Sequence, residues 1–376
     1  MVMSKVFERR PYQERIIAKA DANWRCGVKS QIVVSPTGSG KSYVGLNILK
    51  NVVVNSRDIL GCESGEVGVV WMAMRRNLLR QVEAENVGVG CPNVHFISMF
   101  DKDPLVGLEK YRKLVLCTDE AHHDSTDSGV AIHNALRPVF CLGLSATPVR
   151  TDRVKLCYEV TLQDAGYHFL IQDGYLSGFD QFMLGEFSPK SVCREYLRDV
   201  KKWGKSLMFF LTFGECLECA GLLRGAGVRC EVVTGDSDRD FQLDAFERGE
   251  VDVLVNMFVL TEGFDCCDLR TVWVRDSCNR GPVIQMAGRV LRKHVSKPFA
   301  NIVQSVNSGF PFSRVASPHA QFVLRDGEWC SVGSNELVRV MSRNMVQRVV
   351  RSEVNYKCLE FLKNNGGKRF IDDFEE

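Results

Sequence analysis

Short bursts of β-branched and other apolar residues alternate along the chain with longer stretches of helical periodicity. The first set falls at 31–35, 67–73, 94–98, 114–118 and 139–145. Continuous apolar runs of this length suit strands buried on both faces, with the intervening helices as cover. A second set follows at 206–213, 229–234, 251–256, 271–275 and 301–304, after roughly 60 residues poorer in strand signal. The pattern predicts an α/β chain with two parallel sheets, each covered by helices on both faces. Between the sets, residues 151–190 carry Gly166, Gly174, Gly178, Gly185 and Pro189. They read as a connector that leaves the first sheet and hinges into the second.

From residue 306 the character changes. Gly309, Pro311, Pro318, Gly327 and Gly333 break the first half of the tail, and 335–363 then reads as one helix. Val338, Met341, Met345, Val349, Tyr356 and Leu359 share one stripe, while Arg339, Arg343, Arg348 and Arg351 take the other side. A packed stripe with a solvated basic face is one reading, and a surface turned towards phosphates is the other. We therefore expect a first domain over 1–187, a second over 188–305 and a C-terminal extension over 306–376.

Composition excludes some classes without naming one. With 45% hydrophobic and 25% charged residues in 376, the chain can bury a large core in each domain, and disorder is not its main state. Lys+Arg 48 against Asp+Glu 46 leaves +2, so any binding to polyanions must come from local patches. No apolar run approaches the roughly 18 to 20 residues that cross a bilayer. Lys5, Glu8, Arg9 and Arg10 precede any apolar segment, which is not the order of a signal peptide, so a cytoplasmic location is expected. Fifteen scattered cysteines fit free thiols in a reducing compartment. Cys216 and Cys219 have no second pair at zinc-finger spacing, and a zinc site is not expected there.

The chemistry sits at the ends of the expected strands. Ser35-Pro36-Thr37-Gly38-Ser39-Gly40-Lys41-Ser42 follows the first strand and opens a helix. In that setting Gly38 and Gly40 let backbone amides approach a polyphosphate, Lys41 reaches its terminal phosphates, and the Ser42 hydroxyl can ligate Mg²⁺. Ser35 stands where the full pattern has Gly. Asp119-Glu120-Ala121-His122 closes the strand at 114–118. A carboxylate there can hold Mg²⁺, and the next can polarise a water towards a γ-phosphate. Ser145-Ala146-Thr147 ends the following strand. The adjacent His122 and His123 cannot easily face one metal together, and His122 more readily couples the site to a domain interface by a hydrogen bond.

This ordered set resembles the superfamily 2 helicases, specifically the DEAH/DExH group near restriction-type and phage repair helicases, over roughly residues 9–292. Arg10-Pro11-Tyr12-Gln13 is similar to the adenine-recognising motif, with Gln13 the implied base contact. Residues 35–42, 119–122 and 145–147 resemble motifs I, II and III; 71–81, with Arg75 and Arg76, and 97–100, with Ser98, are weaker matches to Ia and Ib. Leu260-Thr261-Glu262-Gly263-Phe264-Asp265 resembles motif V, and Gln285-Met286-Ala287-Gly288-Arg289-Val290-Leu291-Arg292 resembles motif VI. The first residue of motif VI is Gln rather than the His of DEAD-box proteins, which favours the DExH side.

The resemblance implies two tandem RecA-like domains with ATP and Mg²⁺ in the cleft between them. The implied catalytic set is Lys41, Asp119, Glu120, Gln285, Arg289 and Arg292. Gly263 and Asp265 join Arg10, Gln13 and residues 36–42 around the nucleotide, with Ser42 and Asp119 on Mg²⁺. His122, Ser145 and Thr147 would couple hydrolysis to movement. Arg75, Arg76, Ser98, Thr234 and Thr261 would meet nucleic acid, chiefly its phosphates. A guanidinium from a second domain neutralises developing phosphate charge only when the cleft closes, and Arg289 and Arg292, three apart on a helix introduced by Gly281 and Pro282, can point together at such a site. DNA is expected ahead of RNA, with the protein acting as a monomer and a protein partner as one source of specificity. A duplex translocase, an RNA helicase and an ATP-gated sensor or clamp are the alternatives.

Overall fold

The computed structural model describes residues 10–332 apart from 102, 125, 148–155, 261–265, 278 and 298. The helix expected at 335–363, with Arg339, Arg343, Arg348 and Arg351, lies outside the described residues, as do Thr261, Glu262, Gly263 and Asp265.

The first sheet contains β1 (Ser30–Val34), β2 (Val67–Ala73), β3 (Val94–Ser98), β4 (Lys113–Asp119), β5 (Phe140–Ser145) and β6 (Val160–Leu162). Its order is β3-β2-β4-β5-β1-β6, parallel throughout. All seven residues of β2 are buried, as expected for a strand covered on both faces. The helix Lys41–Val54 lays Leu46, Leu49, Val52 and Val53 against this core. Trp24, from the helix Pro11–Arg25, stacks on Phe140 with centroids 5.1 Å apart.

The second sheet contains β7 (Gly178–Leu184), β8 (Ser206–Phe209), β9 (Cys230–Val233), β10 (Val253–Asn256), β11 (Thr271–Trp273), β12 (Phe299–Ser305), β13 (Ala320–Arg325) and β14 (Glu328–Ser331). Its order is β14-β13-β7-β12-β11-β8-β10-β9, parallel except for the β13-β14 hairpin. The fold class is therefore the one expected: two tandem RecA-like α/β domains.

Two expectations about its limits change. The stretch read as connector contains β6, which pairs with β1, and β7, which pairs with β12 and β13. The second sheet thus begins at Gly178, before the boundary expected at 187/188. It also continues past 305, because β13 and β14 join it where a separate extension was expected. The hairpin turns on Asp326 and Gly327, both at positive φ, the geometry that matches strand twist. The Lys202 ammonium sits over Phe182, Trp203 and Trp329, at 4.3, 4.6 and 5.3 Å from the ring centroids, and fastens the hairpin to the domain. Cys216 and Cys219 lie in the core of this domain, and every described cysteine is a free thiol. No helix among the described residues is long and apolar enough to cross a membrane.

Candidate functional site

Sheet order brings the ends of β4, β5 and β1 side by side, so residues 35–42, 119–122 and 145–147 converge at one carboxyl edge. The Ser35 amide donates to the Ser145 carbonyl at 3.0 Å. Gly38 and Gly40 take φ +82° and +83°, a left-handed turn that side-chain-bearing residues adopt at a cost, and Lys41 and Ser42 then open the helix. Inside the loop the Ser35 hydroxyl donates to Ser39 Oγ at 2.7 Å. The Ser39 carbonyl accepts from Gln13 Nε2 at 2.9 Å and from the Tyr12 hydroxyl. Arg10 lies 5.1 Å from the Tyr175 ring centroid. Beside it opens a cavity of about 270 Å³ lined in part by Tyr12, Arg15, Phe169 and Tyr175.

At the end of β4, Asp119 is buried and Glu120 takes φ +51°, a strained conformation for a residue with a side chain. The Glu120 amide donates to Asp119 Oδ1 at 3.0 Å, and Glu120 Oε2 is buried without a hydrogen bond. Burial and the Glu120 charge push Asp119 up to about 7, with Lys41 pulling the other way. Gln285 Nε2 lies 3.2 Å from His122 Nε2, and His122 Nδ1 lies 3.4 Å from Ser145 Oγ. With the amide donating, Nε2 accepts and the ring proton stays on Nδ1, facing the serine. The Ser145 hydroxyl donates to the Thr147 carbonyl at 2.7 Å, which continues the chain of contacts within the first domain.

The helix Arg280–Gly288 and the following turn Arg289–Leu291 press against the phosphate loop from the second domain. A Cβ added to Gly38 would lie 3.2 Å from Arg292 Cγ, so the arginine runs directly over the loop. Burial lowers its guanidinium to about 10, leaving a poorly hydrated cation beside the loop at 35–42. Arg289 is also buried. A Cβ on Gly288 would stand 2.8 Å from the Tyr167 hydroxyl and 3.1 Å from Thr37 Cβ. Gly288→Ala should therefore hold the two halves apart and weaken nucleotide binding by about 10- to 100-fold, the equivalent of ordinary overpacking. Titration with a fluorescent nucleotide measures this, and an unchanged Kd would contradict so tight an approach.

The residues expected to meet nucleic acid lie at carboxyl edges as well. Arg75 precedes the helix Arg76–Val89, and Arg76 is exposed and pairs with Asp101 at 2.8 Å. Ser98 is buried at the end of β3, its amide held by Asp101 at 2.8 Å. Thr234 follows β9, and its hydroxyl accepts from the Ser237 amide at 3.1 Å. The structure does not bring these four to one point; they are spread over both sheets.

Sequence reasoning missed Tyr167, whose hydroxyl accepts from the Thr37 amide at 3.1 Å. Its only local signal is an aromatic in a glycine-rich stretch. Asp124 was missed too: it accepts from Thr118 Oγ1 at 3.2 Å, His133 Nε2 at 2.8 Å and the Tyr158 hydroxyl at 2.7 Å. Burial alone would lower His133, but its hydrogen bonds to Asp124 and Cys141 raise it to about 10. A third acid shortly after Asp119 and Glu120 was the available clue.

Two largely parallel α/β sheets, with the loop at 35–42 of the first meeting an arginine-bearing turn of the second, define a tandem RecA-like class of protein. Residues 6–103 match the family described as "Type III restriction enzyme, res subunit", and residues 189–294 match "Helicase conserved C-terminal domain". Together the two matches support a superfamily 2 helicase with two RecA-like domains. It is 26% identical over 360 residues to the "Putative ATP-dependent helicase IRC3" of Saccharomyces cerevisiae, covering 80% of this chain and 51% of that protein. It is 24% identical over 345 residues to a 51.5 kDa protein of a Lactococcus phage, covering 82% and 72%. The chain spans about half the length of the yeast relatives it matches. Among solved structures it resembles the Type ISP restriction-modification enzyme LlaBIII bound to DNA, with TM-score 0.58, 13% identity and coverage of 90% and 29%. It also resembles S. cerevisiae Dbp5 bound to RNA and ADP BeF3, with TM-score 0.55, 16% identity and coverage of 80% and 84%.

Proposed function

We propose that the chain is an ATP-dependent nucleic-acid helicase or translocase that hydrolyses ATP between its two domains. The observation that carries this reading is the contact of the second-domain turn with the phosphate loop, Arg292 over Gly38 and Gln285 on His122. Lys41 would meet the terminal phosphates, and Arg289 and Arg292 would neutralise charge developing on the γ-phosphate. The cavity beside Tyr12 and Tyr175 suits a purine, and Gln13, next to Tyr12 along the helix, is anchored on the Ser39 carbonyl. A hard divalent cation fits the oxygen donors here: a buried Asp119 carboxylate raised by desolvation gains most from a neighbouring cation. Ser42 and Asp119 would hold Mg²⁺, which when bound draws charge from the phosphate oxygens. Glu120, its Oε2 buried without a hydrogen bond, would orient the attacking water.

Nucleic acid would lie along the carboxyl edges of both sheets, touching Arg75, Arg76, Ser98, Thr234 and Thr261. DNA is favoured, in keeping with the restriction and repair character of the motifs, and the free thiols suit a cytoplasmic setting. We place the division between domains near the helix Tyr167–Gln172. ATPase rates with single-stranded DNA, duplex DNA, forked DNA and RNA test the reading, and lack of stimulation by any of them would end it. Strand displacement beside triplex displacement then separates unwinding from duplex translocation and from a clamp that moves on neither.

Ser145→Ala with Thr147→Ala is expected to spare basal ATPase while lowering unwinding, because it cuts the path that leads from Gln285 through His122. Basal hydrolysis, stimulated hydrolysis and unwinding measured together decide it. Loss of all three in proportion would refute a coupling role.

A further inference from the structure

The turn Arg289–Leu291 carries both cleft arginines at its margins and ends a helix, where carbonyls lack intrahelical donors. Two donors reach it from elsewhere. The Ser177 amide donates to the Leu291 carbonyl at 2.7 Å, and Lys297 Nζ donates to the Val290 carbonyl at 2.7 Å. The same ammonium donates to the Leu269 carbonyl at 2.8 Å, in the loop leading from residues 261–265 into β11. Lys297 is 3% exposed. Cys266, Cys267, Asp268 and Arg292 are the charged or titratable groups that act on it. Asp268 is already engaged, by Lys205 at 2.6 Å and by the Cys266 thiol at 2.9 Å. Burial lowers the Lys297 ammonium to about 8, partly offset by Cys267, Cys266 and Asp268.

A methionine would fill this space without the cost of burying a charge, so a cation here needs an explanation beyond packing. We propose that Lys297 is a positioning residue: by bridging the Val290 and Leu269 carbonyls, its ammonium fixes the turn that aims Arg289 and Arg292 at the phosphate loop. The bridge also ties that turn to Leu269, in the segment that leads into β11. This inference rests on the proposed ATPase reading. Removing the proton replaces charge-assisted bonds with neutral ones about half as strong, at the negative end of a helix where a cation is favoured.

Two pH effects of opposite sign follow. Between about 8 and the ordinary lysine value, the unfolded chain binds more protons at this site than the folded one, so the lysine adds stability as pH rises. Turnover should fall over the same interval, because the arginines lose their aim. A lysine that merely supports the fold would make the two change in the same direction.

The experiment compares wild type, Lys297→Met and Lys297→Arg from about pH 7 to 9.5, a window that brackets the lowered lysine value. It measures ATP turnover stimulated by a single-stranded DNA oligonucleotide, KM for ATP, and unfolding in urea. At about pH 7.5, Lys297→Met should lose about tenfold or more in kcat with KM little changed, the mark of an interaction that acts in the transition state. Wild type should lose kcat severalfold through about pH 8, the methionine variant should show no such limb, and wild-type stability relative to that variant should rise. Lys297→Arg keeps its charge and should lack the limb; if arginine does not fit, wild type and methionine decide the matter alone. A methionine variant within about twofold of wild type near neutral pH, or turnover and stability changing together, overturns the proposal. Wild type without stimulated hydrolysis would instead defeat the ATPase reading. Amide exchange over 289–293, expected to be faster in Lys297→Met, would then still judge the bridge.

Discussion

Arg289→Ala and Arg292→Ala are each expected to cut nucleic-acid-stimulated turnover by about 10³, the lower end of what a supplied arginine contributes to phosphoryl transfer. The structure shows why the effect should be large. Arg289 is buried, and Arg292 lies against Gly38, so in the proposed site both would act where water is scarce and charge counts for more. Lysine should not rescue either position, because an ammonium cannot supply the planar fork that spans two phosphate oxygens. Arg289→Ala should leave nucleotide Kd nearly unchanged. Arg292→Ala removes packing over the loop as well and should weaken binding modestly. Stimulated kcat beside nucleotide Kd tests both variants, and a double mutant that hydrolyses ATP at the wild-type stimulated rate would show that the chemistry lies elsewhere.

Lys41→Ala and Glu120→Gln should both abolish turnover, for different reasons that binding will expose. In the proposed site Lys41 would supply the charge that meets the terminal phosphates, so its loss should weaken nucleotide affinity along with hydrolysis. Glu120→Gln would leave Asp119, the proposed Mg²⁺ ligand, and the backbone turn at the end of β4 in place, so the variant should bind ATP and fail to split it. The buried Glu120 Oε2 has no hydrogen bond and lies 3.6 Å from His122 Nδ1. Fluorescence titration and single-turnover hydrolysis distinguish the pair. Wild-type turnover in Glu120→Gln would remove the general-base assignment, and equal loss of binding in both would mean that Glu120 acts through structure.

How legible the molecule was depended on how local each feature is. The strands of the first sheet from β1 to β5 could be read because each is a short, mainly apolar run, a pattern that needs no knowledge of its neighbours. β7 could not, since Asp180 and Gln181 interrupt its apolar pattern. Gln181 is buried all the same, because its amide donates to Gln304 Oε1 at 3.1 Å on the neighbouring strand β12. A polar residue can enter a core when a distant partner takes up its donor, and nothing near it in the sequence announces that partner. The β13-β14 hairpin did leave a local trace, Asp326-Gly327 between two apolar runs, which was outweighed by the prolines before it.

The sequence by itself determined the α/β class, and it marked residues 35–42, the acids after β4 and the arginines of the second half as candidate chemistry. Each is a short pattern whose chemistry depends on neighbouring residues along one backbone. The tertiary structure alone decided which of them meet. It set Gln285 on His122, Gly288 on Thr37, Arg292 over Gly38 and Lys297 between the Val290 and Leu269 carbonyls. Three of those four contacts cross between domains and join residues far apart in the chain. Their geometry follows from how two finished sheets pack, and a local pattern of residues carries no record of that packing.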